Sequence, residues 1–242
     1  MKKIILTSIL LTMVFSVNAQ SWWGGKKVRG NGKVVTEKRN TAHYDAVSVG
    51  GSFDVVLVKG TEGNISIKGE ENLMKYIITE VSGDKLKIRF KRNVNVRTTR
   101  KLVITVPYKD LEKVSLGGSG NIRSTGTLKA DRFSMSVAGS GSIDLKVDAE
   151  TVKSSIAGSG NINVSGSATD FTCSIAGSGN INAYGLKVVS TSAKITGSGN
   201  IKTTASDRIN AKVVGSGNIY YKGTAIHIKS KSIGSGDIID RN

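Results

Sequence analysis

A five-residue cluster repeated at near-constant spacing limits what this chain can fold into. Gly-Ser-Gly-Asn-Ile, or a close variant, begins at Gly118, Gly139, Gly158, Gly177, Gly197, Gly215 and Gly234, at spacings of 21, 19, 19, 20, 18 and 19 residues. Five copies keep the full cluster, and Ser142 and Asp237 replace Asn in the other two. A period near 20 residues marks a repeat architecture in which each unit covers its neighbour's apolar face.

Around each copy the residues alternate. Leu116, Val137, Ile156, Ile175, Ile195, Val213 and Ser232 stand two places before the first Gly, and Val114, Met135, Ser154, Cys173, Ala193, Ala211 and Ser230 stand four before it. Between these columns run Ser115, Ser136, Ser155, Ser174, Lys194, Lys212 and Lys231. After the corner an Ile recurs at 122, 143, 162, 181, 201, 219 and 238. Period two means strands with one buried face. About 19 residues are too few for a four-stranded propeller blade of ~40–45, and no helical period appears. The pattern predicts an all-β fold, a right-handed single-stranded parallel β-helix (solenoid) with coils of about 19 residues. Seven coils at a ~4.8 Å strand spacing give a rod of roughly 30 Å.

Stacked coils put like on like. Asn121, Ser142, Asn161, Asn180, Asn200, Asn218 and Asp237 are expected to form a structural corner ladder, because each Asn amide carries both donors and acceptors and buried amides must be paired. Cys173 falls in an inward column, where a free thiol behaves as a small hydrophobe. With one Cys and two His, the chain has no intramolecular disulfide and no Cys- or His-cluster metal site.

The part before the repeats carries a weaker version of the same pattern. Val47-Ser48-Val49-Gly50-Gly51-Ser52-Phe53-Asp54-Val55 parallels Val114-Ser115-Leu116-Gly117-Gly118-Ser119-Gly120-Asn121-Ile122. Residues 41–110 are therefore expected to be longer, degenerate coils, and residues 111–242 the regular array, with a short helix or turn at Glu71 to Tyr76. Lys85, Lys87, Arg89, Lys91, Arg92, Arg97, Arg100 and Lys101 follow one another with no acidic residue from Lys85 to Lys109. They form a candidate anion-binding patch, although such runs more often face water or protect a strand edge.

Met1-Lys2-Lys3, an uncharged apolar run from Ile4 to Val17, and small residues at Val17 and Ala19 have the layout of a secretory signal peptide over residues 1–19, cleaved after Ala19. The run is shorter than the ~20 residues of a spanning helix, and no later segment replaces it. The mature chain is expected to have no transmembrane segment and to occupy the periplasm, outer cell surface or extracellular space. Residues 20–40, rich in Gly and Lys and bearing Trp22-Trp23, are expected to be a flexible basic leader. The formal charge is +17. For an exported protein that surplus points to an anionic glycan, lipopolysaccharide or another envelope surface rather than nucleic acid.

Several short motifs in order now carry a resemblance: Val34 to Arg39, Tyr44-Asp45-Ala46-Val47, Gly51-Ser52-Phe53-Asp54-Val55, Glu71-Asn72-Leu73, Leu86-Lys87-Ile88, Val103-Ile104-Thr105-Val106-Pro107, Leu111-Glu112-Lys113-Val114 and the Gly-Ser-Gly-Asn-Ile series. Over roughly residues 34–238 the chain resembles the bacterial head GIN domain family of autotransporter-adhesin type, common in Bacteroidetes. The resemblance implies a β-helical secreted or envelope protein, adhesin-like, of unknown function and without catalytic residues to carry over. After the last repeat the sequence runs only to Asn242, so the translocating barrel of many ~10-residue strands that an autotransporter carries is not expected here.

Parallel β-helices also host polysaccharide-cleaving enzymes, so the alternative is a carbohydrate-active enzyme. Glycoside hydrolysis needs two facing carboxylates. The densest acidic cluster is Asp144, Asp148 and Glu150, in one irregular coil, and reads more readily as a solvated corner. The Ser of Gly-Ser-Gly is no nucleophile elbow, and the Gly-x-Gly lacks the strand-to-helix setting of a dinucleotide site. The sequence thus predicts a non-catalytic, cofactor-free binding or structural module of the envelope, with its oligomeric state open.

Overall fold

Two glycines per corner let successive turns of the chain lie directly on one another. Gly158 has φ +123°, a region disfavoured for side-chain-bearing residues, and a Cβ there would sit 2.6 Å from the Gly139 carbonyl oxygen. Gly160 leaves no more room: a Cβ would meet the Gly141 carbonyl at 2.6 Å and Val137 Cγ1 at 2.5 Å. Steric exclusion, repeated each turn, therefore holds the period seen in the sequence.

The protein is seen in a computed structural model, of which residues 25–242 are described. The signal peptide, its cleavage after Ala19 and the Trp22-Trp23 pair lie outside the described residues. The first part holds β1 (Lys26–Arg29), β2 (Val34–Asn40), β3 (Ala46–Gly50), β4 (Asp54–Lys59), β5 (Asn64–Glu70), a 3-10 helix (Glu71–Tyr76), β6 (Ile77–Ser82), β7 (Lys85–Phe90), β8 (Val94–Arg97) and β9 (Val103–Tyr108). The repeat part holds β10 (Lys113–Gly118), β11 (Asn121–Gly139), β12 (Ser142–Gly158), β13 (Asn161–Gly177), β14 (Asn180–Gly197), β15 (Asn200–Thr204), β16 (Arg208–Gly215), β17 (Asn218–Lys222), β18 (His227–Ile233) and β19 (Ile238–Asp240).

The fold is all-β, with 72% of the described residues in strands and 3% in helix, a solenoid of about seven turns with coils of about 19 residues. Each of β11 to β14 is a nearly whole coil rather than several short strands, because ladder pairing continues around the bends and pauses at the Gly-Ser-Gly corner. The apolar columns stack in register, as in Val137, Ile156, Ile175, Ile195 and Val213. All five are buried.

Two expectations for the first part need correction. Residues 20–40 are not simply a leader. Val34–Asn40 pairs antiparallel with β5 over its whole length, and Lys26–Arg29 pairs in parallel with β8. Nor do residues 41–110 stack as coils in chain order. β3 lies between β7 and β10, and β4 between β9 and β11. The coil made later in the chain, β7 and β9, therefore sits outside the earlier one. Antiparallel strands then close that end, with β6 on β7 and β5 on β9. The physical reason is exposure. A first coil left at the end would present bare strand edges and an open core. The chain doubles back to cover both, and the 3-10 helix adds buried Leu73 and Met74. The internal match holds in detail, however. Val47 pairs with Val114, Val49 with Leu116 and Asp54 with Asn121.

A buried carboxylate ties this end together. Glu70, 1% exposed, accepts hydrogen bonds from the Thr99 hydroxyl (2.6 Å) and from the amides of Gly32 (2.7 Å), Thr99 (2.8 Å) and Arg100 (3.2 Å). Burial alone would raise its pKa. The Thr99 hydroxyl and amide, then the Gly32 and Arg100 amides, outweigh that and hold it down at about 2. Gly30 lies so close to this carboxylate that a Cβ would overlap it.

The other end is bare. Every residue of β18 is exposed. Its inward positions opposite Ala211 and Val213 are Ser230 and Ser232, so the last coil lowers the apolarity of the open core. Polar outer faces of this kind are what terminal repeats need.

Candidate functional site

The corner ladder runs along the solenoid as one-directional hydrogen bonds. Asn121 Nδ2 donates to Asp54 Oδ1 (2.7 Å), Asn180 to Asn161 (3.1 Å), Asn200 to Asn180 (3.1 Å) and Asn218 to Asn200 (3.5 Å). Asp237 joins through its backbone N–H, which donates to Asn218 Oδ1. Ser142 stands in register between Asn121 and Asn161, but its shorter side chain makes no such bond. The Asn side chains are exposed or half-buried, so the ladder orders a surface corner rather than satisfying buried amides.

The eight basic residues from Lys85 to Lys101 do not form one face. Lys85, Lys87 and Arg89 lie on β7. There the antiparallel β6 brings Glu80 opposite Lys87 and within 3.2 Å of the Arg89 guanidinium, an acidic neighbour from outside the run. Lys91 and Arg92 follow β7. Arg97 lies on β8, opposite Arg29 of β1. Arg100 and Lys101 follow the loop that Glu70 anchors.

The cations of the last coils are arranged differently. The outward Ser column becomes Lys at the end of the array. Lys194, Lys212 and Lys231 stand directly in register on neighbouring strands. All three are exposed, and none is in an ion pair among the described residues. Like charges directly opposite destabilise a sheet.

On the next face, beyond the Gly-Ser-Gly corner, lies a groove of about 640 Å³. Asn182, Lys202 and Tyr220 occupy the same register position in three successive coils. Tyr184 is the extra residue of a β-bulge. Two residues separate Asn182 from Gly185, where the partner strand has one between Asn163 and Ser165. Lys222 Nζ lies 5.1 Å from the Tyr184 ring centroid, and the Arg241 guanidinium 5.2 Å from that of Tyr220. Asn242 pins the segment bearing Arg241, because its side chain both accepts from the Gly223 amide (2.7 Å) and donates to the Gly223 carbonyl (2.9 Å). Burial raises the Tyr184 phenol above its ordinary pKa, with Arg241 opposing and Tyr220 adding to the rise. Among the described residues no carboxylate side chain lines the groove. Sequence reasoning missed this site. Its one trace was the 20-residue spacing between Gly177 and Gly197, where the bulge adds a residue.

Asp144 and Asp148 stand in register with Arg123 and Lys129 of the preceding coil, and Asp148 accepts from the Ser167 hydroxyl at 2.7 Å. Cys173 is free and buried, and burial pushes its thiol pKa up, which removes the thiolate that nucleophilic chemistry needs. Among the described residues no group of three or more His, Cys, Asp or Glu side chains is placed to hold a metal ion, and no helix is long and apolar enough to cross a membrane.

A parallel solenoid with serially repeated faces and a sealed first end defines the class of protein. Within that class, residues 43–225 match the family described as "Putative auto-transporter adhesin, head GIN domain", and the chain belongs to it. Comparison with curated proteins gives no match. Among solved structures, a "putative adhesin" from Bacteroides fragilis aligns over 88% of this chain and all of its own, with a TM-score of 0.84 and 24% identity, a likeness of fold. A "putative lipid binding protein" from Parabacteroides distasonis covers 90% of this chain and is itself fully covered, at 29% identity and a TM-score of 0.76. A "putative adhesin" from Parabacteroides merdae gives 28% identity and a TM-score of 0.71, with 90% and 100% covered.

Proposed function

We propose that this chain is an exported, non-catalytic binding module of the bacterial cell envelope or cell surface, adhesin-like, that holds an anionic partner without transforming it. The observation that carries this reading is the stack formed by Lys194, Lys212 and Lys231. Three like charges in adjacent strands repel one another at the strand spacing, and no side chain of the described protein relieves them. An anionic glycan, lipopolysaccharide or another anionic envelope surface laid along the stack would. The family's adhesin description and the adhesin name of the relative from Parabacteroides merdae agree with a surface role, as does the signal-peptide layout of residues 1–19. The Lys85 to Arg89 strand serves as a secondary cationic contact for the same anionic partner, weakened by Glu80.

The test has two arms. Protease shaving of intact cells expressing the tagged protein, against a lysed sample and a periplasmic control, reports its location. Digestion on intact cells is expected, and protection until lysis overturns the surface role. Retention on anionic polymers and on whole envelopes is expected to fall as salt rises, because exposed charges are screened. Salt-independent retention, or turnover of any member of a glycan panel, overturns the non-catalytic electrostatic reading.

A further inference from the structure

The groove beyond the corner differs from the lysine stack in its chemistry. It combines two aromatic rings, three cations and side-chain amides on one concave surface, and each part is held by something specific. The bulge turns Tyr184 out of the strict alternation of β14, as bulges beside binding sites do. The double hydrogen bond of Asn242 to Gly223 sets Arg241 over Tyr220. Register alone aligns Asn182, Lys202 and Tyr220. Lys222 and Arg241 each lie over one ring, and both rings are only half-buried and line the groove. Among the described residues no carboxylate side chain lines the groove to neutralise the cations.

We infer that this groove binds an acidic sugar unit within a carboxylated or sulfated polysaccharide, a site and ligand class that rest on the anionic-partner reading and make it specific. A pyranose ring has an apolar C–H face and a polar rim. Aromatic rings receive the first and amides the second, while guanidinium and ammonium groups hold the acid. A bilayer of anionic headgroups is a poorer fit, because a flat sheet of charge does not enter a groove and gains nothing from ring faces. The groove lies across several coils and opens to solvent, so it suits a chain passing through rather than a small molecule enclosed.

The mature full-length protein is assayed for binding to immobilised polygalacturonate, to a sulfated polysaccharide, to neutral dextran and to phosphatidylglycerol vesicles. Three variants are compared with wild type: Tyr220→Ala, Tyr220→Phe and Lys202→Glu. The expected result is binding to an acidic polymer and not to dextran. Tyr220→Ala and Lys202→Glu each lose about tenfold or more in affinity, Tyr220→Phe keeps most of it, and all three melt with the wild type. Tyr220→Phe separates ring stacking from simple folding defects, and Lys202 is exposed enough for charge reversal to leave the core intact. Acidic-polymer binding unchanged in both Tyr220→Ala and Lys202→Glu overturns the groove while leaving the anionic-partner reading standing. Vesicle binding as tight as polymer binding overturns the ligand class alone. Wild type that binds neither polymer nor vesicle overturns both readings.

Discussion

The two ends of the solenoid solve the same problem in opposite ways. At the first end, the core would be open after β3 and β4, and the chain returns to build another coil outside them, adds antiparallel strands and locks the loops through Glu70. Large side chains fill it, with Tyr44, Phe53 and Tyr108 buried and Phe53 stacked on Phe90 at 4.4 Å. At the last end no such cover is built among the described residues. β18 and β19 stop as bare edges, and Ser230 and Ser232 replace the inward Ala and Val. Covering an end takes many residues and confers local stability. Making an end polar takes two substitutions and leaves it free to fray.

The largest effect that would separate the ends comes from the corners. Gly158→Val places side-chain atoms on the Gly139 carbonyl with neighbours on both sides, and is expected to destabilise by about 4 kcal/mol or more. Gly234→Val meets a Gly215 carbonyl that is closer still but can peel away with the last coil, and should cost about 1 kcal/mol. Equal loss in thermal unfolding would show that the last coil is as tightly held as the middle.

Next in size is the Glu70 clamp. Glu70→Ala leaves four donors without their acceptor and is expected to cost about 3 kcal/mol at neutral pH. The carboxyl titrates at about 2 in the folded protein against an ordinary value of 4.5. Its contribution is therefore present above about pH 4.5 and lost as the pH falls towards 2. Urea melts across that range should show wild type and variant converging, and a gap that stays constant with pH would remove the clamp from the account.

The smallest expected effect is a gain. Ser154 is buried between Met135 and Cys173 in the inward column, and its hydroxyl has no hydrogen-bond partner. Ser154→Ala should stabilise by about 1 kcal/mol. A lower melting temperature would mean that the hydroxyl is satisfied after all.

These contrasts show which parts of the structure the residues announced. The coils were legible because stacking forces the same choice at each turn. A corner that admits no Cβ writes Gly every 19 or so residues, and an inward column writes Val and Ile. The Ser-to-Lys column was also visible as text, and its meaning emerged once the register placed Lys194, Lys212 and Lys231 side by side. The doubled-back first end was not legible, because Leu86 to Phe90 alternates in the same way whether it stacks after β4 or outside it. The strand at Val34–Asn40 was hidden because its partner, β5, lies far along the chain, and three of its exposed positions, Thr36, Lys38 and Asn40, are polar. The groove was hidden for a related reason. Tyr184, Lys202, Tyr220 and Arg241 are unremarkable singly, and only the bulge and the coil register bring them together.

The sealed first end gives the molecule a fixed origin from which its length can be counted. A further 19-residue turn inserted in the middle would advance everything beyond it by ~4.8 Å along the axis, without altering either terminus or the corner chemistry. The separation between the closed end and the groove thus behaves as a ruler graduated in single turns. Two family members with different turn numbers would present the same contact at different heights above whatever holds the first end.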